Sequence, residues 1–222
     1  MSVGKGFFDA IRPTFGGRLS QGQVDGLSRL IAEGVKHTTD RFQIAYCLAT
    51  CLWETAKQMQ PVREAYWVGN NEVEAEAWRK KNLRYFPFYG RGDVQLTWER
   101  NYRIYGEKLN VDMVANPDIA LSPRYSAFIV FDGMMTGAFT GRALPEFVGG
   151  NRRDYVNARR TVNGIDKAST IANIARKFEA ALAYVDFSAQ ADPDPGTSDP
   201  EISDLIQVLE DTTAELKERL NA

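Results

Sequence analysis

Two carboxylates flank a break in an apolar segment of this chain. Glu54 follows Ile44 to Trp53, ten residues in which Thr50 is the only plainly polar side chain. A carboxyl group at the end of such a segment is expected to be desolvated, which favours its neutral, proton-bearing form, the form a general acid needs; a buried Glu satisfied by an Arg, or one that reaches solvent as the helix ends, is the equal alternative. Glu64 stands ten residues further on. Along one continuous helix that offset is about 15 Å of rise on a different face. Pro61, within QMQPVREAYW, is expected to stop the helix and turn the chain, so that Glu64 faces Glu54 across a cleft. Two carboxyls roughly 6.5–9.5 Å apart, with a water between them, are what hydrolysis of a glycosidic bond with inversion requires. Glu72, Glu74 and Glu76 are rivals for the second position, although their alternation in NNEVEAEAWRK reads more simply as a charged helix face. The run DVQLTWERN adds Gln95, Thr97 and Asn101, short polar groups able to hold a sugar and a water. Around them stand Tyr85, Phe86, Phe88, Tyr89, Trp98 and Tyr102, a mixture that suits the two-sided surface of a carbohydrate and is also common in ordinary cores.

Other chemistries lack their parts. The chain has one His, His37, in the polar stretch KHTTD, where it reads as a solvated loop residue. His-rich metal sites are thereby excluded, and a Ser-His-Asp or Cys-His mechanism has no second candidate. Cys47 and Cys51 share one face of an apolar helix, a poor disulfide geometry, and read as reduced core thiols. No metal and no cofactor is expected. The Arg pairs of NRRDYVNARR could grip phosphates, but on a helical face they are more often solvated or paired with carboxylates, so no nucleic-acid partner is expected.

The elements that must hold the carboxylates are helical. Ser20 and Gln23 form a capping-box start, with Val24, Leu27, Leu30 and Ile31 on one face and Gly34 as the expected end. Thr39 or Asp40 caps a second helix from Phe42 to Trp53, apolar nearly all round and therefore central. Ser122-Pro123 starts a third that runs toward Gly137, and Ile171, Ile174, Ala175, Phe178, Leu182 and Val185 mark another. Strand signals are confined to Tyr85–Phe88 and Asp93–Trp98, on either side of a Gly-Arg-Gly turn. The fold class expected is mainly α with a small β-hairpin region.

The 222 residues, 44% of them hydrophobic and 25% charged, are enough to bury a sizeable core. Three parts are expected: a body over residues 1–185, an acidic Pro/Asp/Ser linker over 186–200 and an amphipathic helix over 201–222. The formal charge of −2 divides unevenly, with −8 beyond residue 185 and +6 on the body, which steers the body toward polyanions. No apolar run is long enough to span a bilayer and the first residues do not read as a signal peptide. Synthesis in the cytoplasm without stable membrane insertion is the expectation.

Taken together, LATCLWETAKQMQPVREAYW, FYGRGDVQLTWERNYRIYG, VANPDIALSPRYSAF and YVNARRTVNGIDKA resemble glycoside hydrolase family 19, the plant-type chitinases, and within it the compact endolysins of bacteriophages and prophages. The resemblance runs from about residue 40 to 170, and YGRGxxQLT followed by NPD is its most specific signature. It implies a lysozyme-like helical fold and metal-free inverting hydrolysis of β-1,4 bonds between amino sugars. By position in the motifs, Glu54 corresponds to the general acid and Thr97 to the hydroxyl that helps hold the water. Tyr89, Gln95, Asn101, Asn163 and Arg160 fall among the substrate-binding residues. Glu64 is carried over as the base, although plant chitinases place that residue further along the chain, a spacing that favours Glu74 or Glu76. Trp53 stands where the family usually has His, which leaves the proton donor intact and alters the hydrogen bonding beside it.

The basic body and the endolysin-like motifs together imply a lysis enzyme that acts on peptidoglycan strands, held in the cytoplasm of a bacterial host until a holin opens the inner membrane. Chitin is the nearest alternative substrate. A glycan-binding module without catalysis, a nucleic-acid binder and a peptidase of the stem peptides are the competing classes.

Overall fold

The computed structural model describes residues 3–187. The expected linker over 186–200 begins at the edge of this range, and the expected helix over 201–222 lies outside the described residues. Among the described residues there are seven α-helices: α1 (Lys5–Ile11), α2 (Gln21–His37), α3 (Arg41–Glu54), α4 (Glu72–Asn82), α5 (Glu99–Leu109), α6 (Pro123–Thr136) and α7 (Ala168–Leu182). The strands are two-residue pieces in two antiparallel pairs, β1 (Val62–Arg63) with β2 (Arg91–Gly92) and β3 (Val148–Gly149) with β4 (Arg152–Arg153). The mainly helical class expected from the sequence is the one found.

The centre is α3. Ten of its fourteen residues are buried, because its apolar side chains leave no polar stripe to face water. It packs most extensively on α7, with α2 and α6 beside it, while α2 lies chiefly on α6. Asp40 starts the helix, its Oδ1 accepting from the Phe42 amide at 2.9 Å, while Oδ2 accepts from the Gly150 amide and Gln43 Nε2 donates to the Val148 carbonyl. One helix start therefore also anchors the second strand pair. Cys47 and Cys51 are free and fully buried, and burial pushes both thiols above their usual range.

The end of α3 differs from the expectation. Pro61 does not stop this helix, which has already ended at Glu54. Thr55 turns its hydroxyl back onto the Cys51 carbonyl at 2.7 Å and accepts from the Met59 amide at 3.0 Å, closing the last turn with its own side chain. Ala56, Lys57 and Met59 then take positive φ, a conformation costing roughly 1–2 kcal/mol per non-glycine residue. Helix α2 holds them there. Its capping Gln23, which exchanges hydrogen bonds with Ser20, also donates to the Lys57 carbonyl, and Gln60 Nε2 donates to the Gly22 carbonyl. At Gly26 a Cβ would stand 1.8 Å from the Met59 carbonyl oxygen, so the loop sits directly on the helix backbone.

Four further expectations are corrected. Helix α2 continues through Gly34, which is buried against Phe131 rather than serving as a stop. His37 is the last residue of that helix and not a solvated loop residue: its ring meets Phe128 and Phe131, and Nε2 lies 2.9 Å from Glu33 Oε1. Tyr85–Phe88 is turn, not strand. The Gly-Arg-Gly run, read as the hairpin's turn, supplies its strand, and the reversal falls at Gly92–Gln95, closed by two hydrogen bonds between Arg91 and Leu96. Positive φ at Gly92 and at Gln95 makes that reversal.

Candidate active site

Glu54 opens into a cleft of about 370 Å³ whose walls are the 94–98 reversal, the start of α5 and the turn after Arg159. The lining combines Tyr85, Gln95, Thr97, Trp98, Asn101, Phe139, Arg159 and Asn163 with Glu54. The structure thus brings Glu54, Gln95, Thr97, Asn101 and Asn163 to one cavity from three separated parts of the chain. The loop's own hydrogen bonds fix the polar groups. Gln95 Nε2 donates to the Val62 and Gly92 carbonyls, Thr97 Oγ1 to the Gln95 carbonyl and Asn101 Nδ2 to the Thr97 carbonyl. Since those donors are engaged by backbone, what the side chains retain for a ligand is chiefly acceptor oxygen.

Of the readings open for Glu54 in the sequence, the structure shows the one paired with an arginine: Arg159 Nη1 lies 2.7 Å from Glu54 Oε1, with the two side chains 4% and 18% exposed. Arg159 is braced in turn by its Nε on the Asp166 carbonyl. Both sit at the end of the central helix pair, where the 3-10 turn Asn157–Thr161 buries Ala158, Arg159 and Thr161 and leaves Arg160 outside. Arg160, expected among the substrate-binding residues, is exposed and reaches only Asn157 at 3.3 Å. Its neighbour is the one in the cleft. The missed signal is the short-period burial of a 3-10 turn, which cannot be told apart from a solvated Arg pair in the bare sequence.

Glu64 follows β1 and stands behind Tyr85. Its Oε1 accepts from the Tyr85 hydroxyl at 2.7 Å and its Oε2 from the Gly90 amide at 2.8 Å, both neutral donors. Burial first, and then the Glu64 carboxylate, push the Tyr85 hydroxyl up to about 12, so it stays protonated and donating. A Cβ at Gly90 would fall 2.7 Å from Gln95 Oε1 and 3.2 Å from Glu64 Oε2, so these two side chains converge over Gly90 and would have to shift for a larger residue. Arg79, with no exposed surface, donates from Nε to the Glu64 carbonyl at 2.6 Å and so fixes its backbone.

The rivals of Glu64 are committed elsewhere. Glu72 and Glu76 both pair with Arg79, and Glu74 accepts from Asn70 and Asn71 at the start of α4. Tyr89, expected to bind substrate, is 1% exposed. Its ring meets the guanidinium groups of both Arg79 and Arg91, and its hydroxyl donates to Glu76. It supports the Glu64 segment from behind and does not line the cleft. A hub the sequence did not reveal is Asp93, fully buried, gripped by Arg29 through two 3.0 Å contacts and by Ser126 at 2.5 Å. It ties the 92–97 reversal to α2 and α6. Among the described residues no group of three His, Cys, Asp or Glu is arranged to hold a metal ion, and no helix is long and apolar enough to cross a membrane.

No family model matches the chain. Over 42 residues, 19% of this chain and 16% of the relative, it is 48% identical to Chitinase 11 of Oryza sativa subsp. japonica. Over 41 residues, 18% of this chain and 13% of the relative, it is 42% identical to a protein of Hevea brasiliensis named inactive chitinase-like protein 1. The chain therefore matches less than a fifth of the length of these curated relatives. Chitinase C of Streptomyces griseus superposes with a TM-score of 0.54 at 19% identity, covering 86% of this chain and 79% of that one, which shows a shared lysozyme-like helical fold.

Proposed function

We propose that this chain is a glycoside hydrolase of the family 19 type, cleaving β-1,4 bonds between amino sugars with inversion. The observation that carries the reading is a polar cleft in which Glu54 is paired to a buried arginine and whose wall residue Tyr85 donates to a second carboxylate, Glu64, which stands behind the lining and is held by neutral donors. In this reading Glu54 delivers a proton to the leaving glycosidic oxygen while a water attacks the anomeric carbon from the opposite face. Glu64 takes the proton of that water. Thr97 lies beside the water and offers it a hydroxyl oxygen. Arg159 holds Glu54 in place and stabilises the carboxylate left when the proton departs. The lost glycosidic bond is replaced by one leaving-group hydroxyl and one hemiacetal of inverted configuration. The likeness to proteins named chitinase supports the reaction class.

For the substrate we favour peptidoglycan, with the chain acting as a lysis enzyme released from a host cytoplasm through a holin-opened membrane. The +6 body supports an anionic target. Chitin oligomers are the alternative. The likeness to a relative named inactive keeps a binding module without catalysis as a second reading. One experiment separates these: purified sacculi and chitin hexamer are each incubated with the wild type, Glu54→Gln and Glu64→Gln, and products are read by mass spectrometry and a reducing-end assay. New reducing ends from sacculi, lost in both variants, support the proposal. Activity on chitin alone moves the substrate, an active Glu64→Gln removes the base, and binding without release makes the chain a module.

A further inference from the structure

We infer that Arg84, over the ring of the cleft-wall residue Trp98, is an anion subsite that takes a carboxylate on the glycan and so selects acidic over neutral strands. The inference rests on the reading of the cleft as a glycan site and names the substrate's charge. Most arginines near the site are already committed: Arg159 to Glu54, Arg63 and Arg91 to Asp118, Arg79 to Glu72 and Glu76, Arg103 to Glu99. Arg84 is exposed and pairs with no carboxylate among the described residues. Its guanidinium lies 5.2 Å from the centre of the Trp98 ring.

That position has a chemical consequence. A guanidinium held over an aromatic face keeps N–H donors available, and a guanidinium fork matches a carboxylate. Trp98 is itself part of the cleft wall, 46% exposed, and Tyr85 meets its ring at 5.0 Å while donating to Glu64. The free cation is therefore linked by two ring contacts to the second acid. The cation that lines the cleft, Arg159, is already engaged by Glu54, so an anionic strand needs another positive charge to receive it. Arg84 supplies that charge without disturbing the acids. A lactyl ether or an acidic peptide on alternate amino sugars would meet it, and a neutral N-acetylglucosamine strand would not.

The test measures binding in a Glu64→Gln background, so that turnover does not consume the ligand and Arg159 keeps Glu54 as its partner. Titration calorimetry compares chitotetraose with a tetrasaccharide alternating N-acetylglucosamine and N-acetylmuramic acid. The expected result is a preference for the acidic tetrasaccharide that falls about five- to tenfold on adding Arg84→Gln, the size of one charge-assisted contact at a partly wet rim. Chitotetraose affinity should change less than twofold, and Arg100→Gln, which removes a nearby exposed charge, should change neither. Equal losses for both ligands would mean that Arg84 only shapes Trp98, and absence of an acidic preference would equally overturn the inference. If the preference holds while sacculi are not cleaved by the unsubstituted protein, the subsite stands and the hydrolase reading falls. Cleavage of sacculi without Arg84-dependent discrimination removes the subsite and leaves the hydrolase reading in place.

Discussion

Replacing Arg29 by Met leaves the Asp93 carboxylate buried with no positive partner. Asp93 has no exposed surface, and Arg29 engages both of its oxygens at 3.0 Å. The Ser126 hydroxyl, at 2.5 Å, is then its only remaining side-chain donor. Breaking a buried pair from one side costs about 3–5 kcal/mol, because the remaining charge stays desolvated. In a domain of this size each kcal/mol lowers the melting temperature by roughly 2–4 °C, so Arg29→Met should melt about 6–20 °C below the wild type. Urea denaturation should show the same loss with an unchanged slope. Adding Asp93→Asn removes the stranded charge while keeping an acceptor for Ser126, so the double variant should regain stability, with a coupling energy of about 2 kcal/mol or more. A loss below about 1 kcal/mol for Arg29→Met, or additive losses in the double variant, would mean that the pair behaves like an exposed one and is not the anchor of the 92–97 reversal.

Two glycines one turn apart in α2 should respond in opposite directions. Gly26→Ala meets the Met59 carbonyl at 1.8 Å and should lower stability measurably in urea, whereas Gly22→Ala has nothing nearer than 3.9 Å and should gain up to about 1 kcal/mol from helix propensity. Neither Cys47 nor Cys51 should react with a thiol reagent at pH 8 in the native protein, since burial holds both thiols protonated; both should react in denaturant. Acid should unfold the protein partly through Asp118 and Glu33. Burial raises each carboxyl, but Arg63 and Arg91 outweigh it at Asp118, and His37 with Lys36 outweigh it at Glu33, leaving both below their usual values of 3.8 and 4.5. A depressed folded value means stability fully present above those figures and lost as pH falls through the lower folded ones, so Asp118→Asn should flatten the stability–pH curve below about pH 4 and leave its slope near neutrality unchanged.

What is legible in the sequence follows physical range. The starts of α2 and α6, the central position of α3 and the stripe of α7 depend on residues within one or two turns, and the Ser20–Gln23 box, Pro123 and the Gly137 cap appear where local chemistry puts them. The end of α3 is hidden because Pro61 is a stronger generic signal than Thr55, yet the helix stops when a hydroxyl caps it and α2 holds the next residues at positive φ. That second condition comes from Gln23 and Gly26, more than thirty residues away along the chain. The hairpin is hidden for a related reason. Gly90 and Gly92 look like turn residues, but Gly90 is small because Gln95 and Glu64 converge over it, and the turn belongs to Gly92–Gln95.

The cleft divides along the same line. Gln95, Thr97 and Asn101 are readable as a group because seven residues of chain carry them and bonds to nearby backbone help to fix them. Arg159 is not, because its reason for existing is Glu54, 105 positions earlier. The sequence offers two adjacent arginines, and only burial distinguishes the one that faces the helix end from the one that faces water. That distinction changes the chemistry proposed for the acid. Without Arg159, proton donation from Glu54 would have to rely on apolar surroundings that resist the carboxylate it leaves behind. With Arg159 at 2.7 Å, the cation that positions Glu54 also receives that charge, so the cost falls on neither the helix nor the substrate. If that is its role, Arg159→Gln should lower kcat on sacculi by about a hundredfold while shifting KM little, because the contact strengthens only as the proton leaves. A rise in KM with kcat preserved would show instead that Arg159 binds ground-state sugar, and the acid's missing cation would have to be sought elsewhere in the cleft.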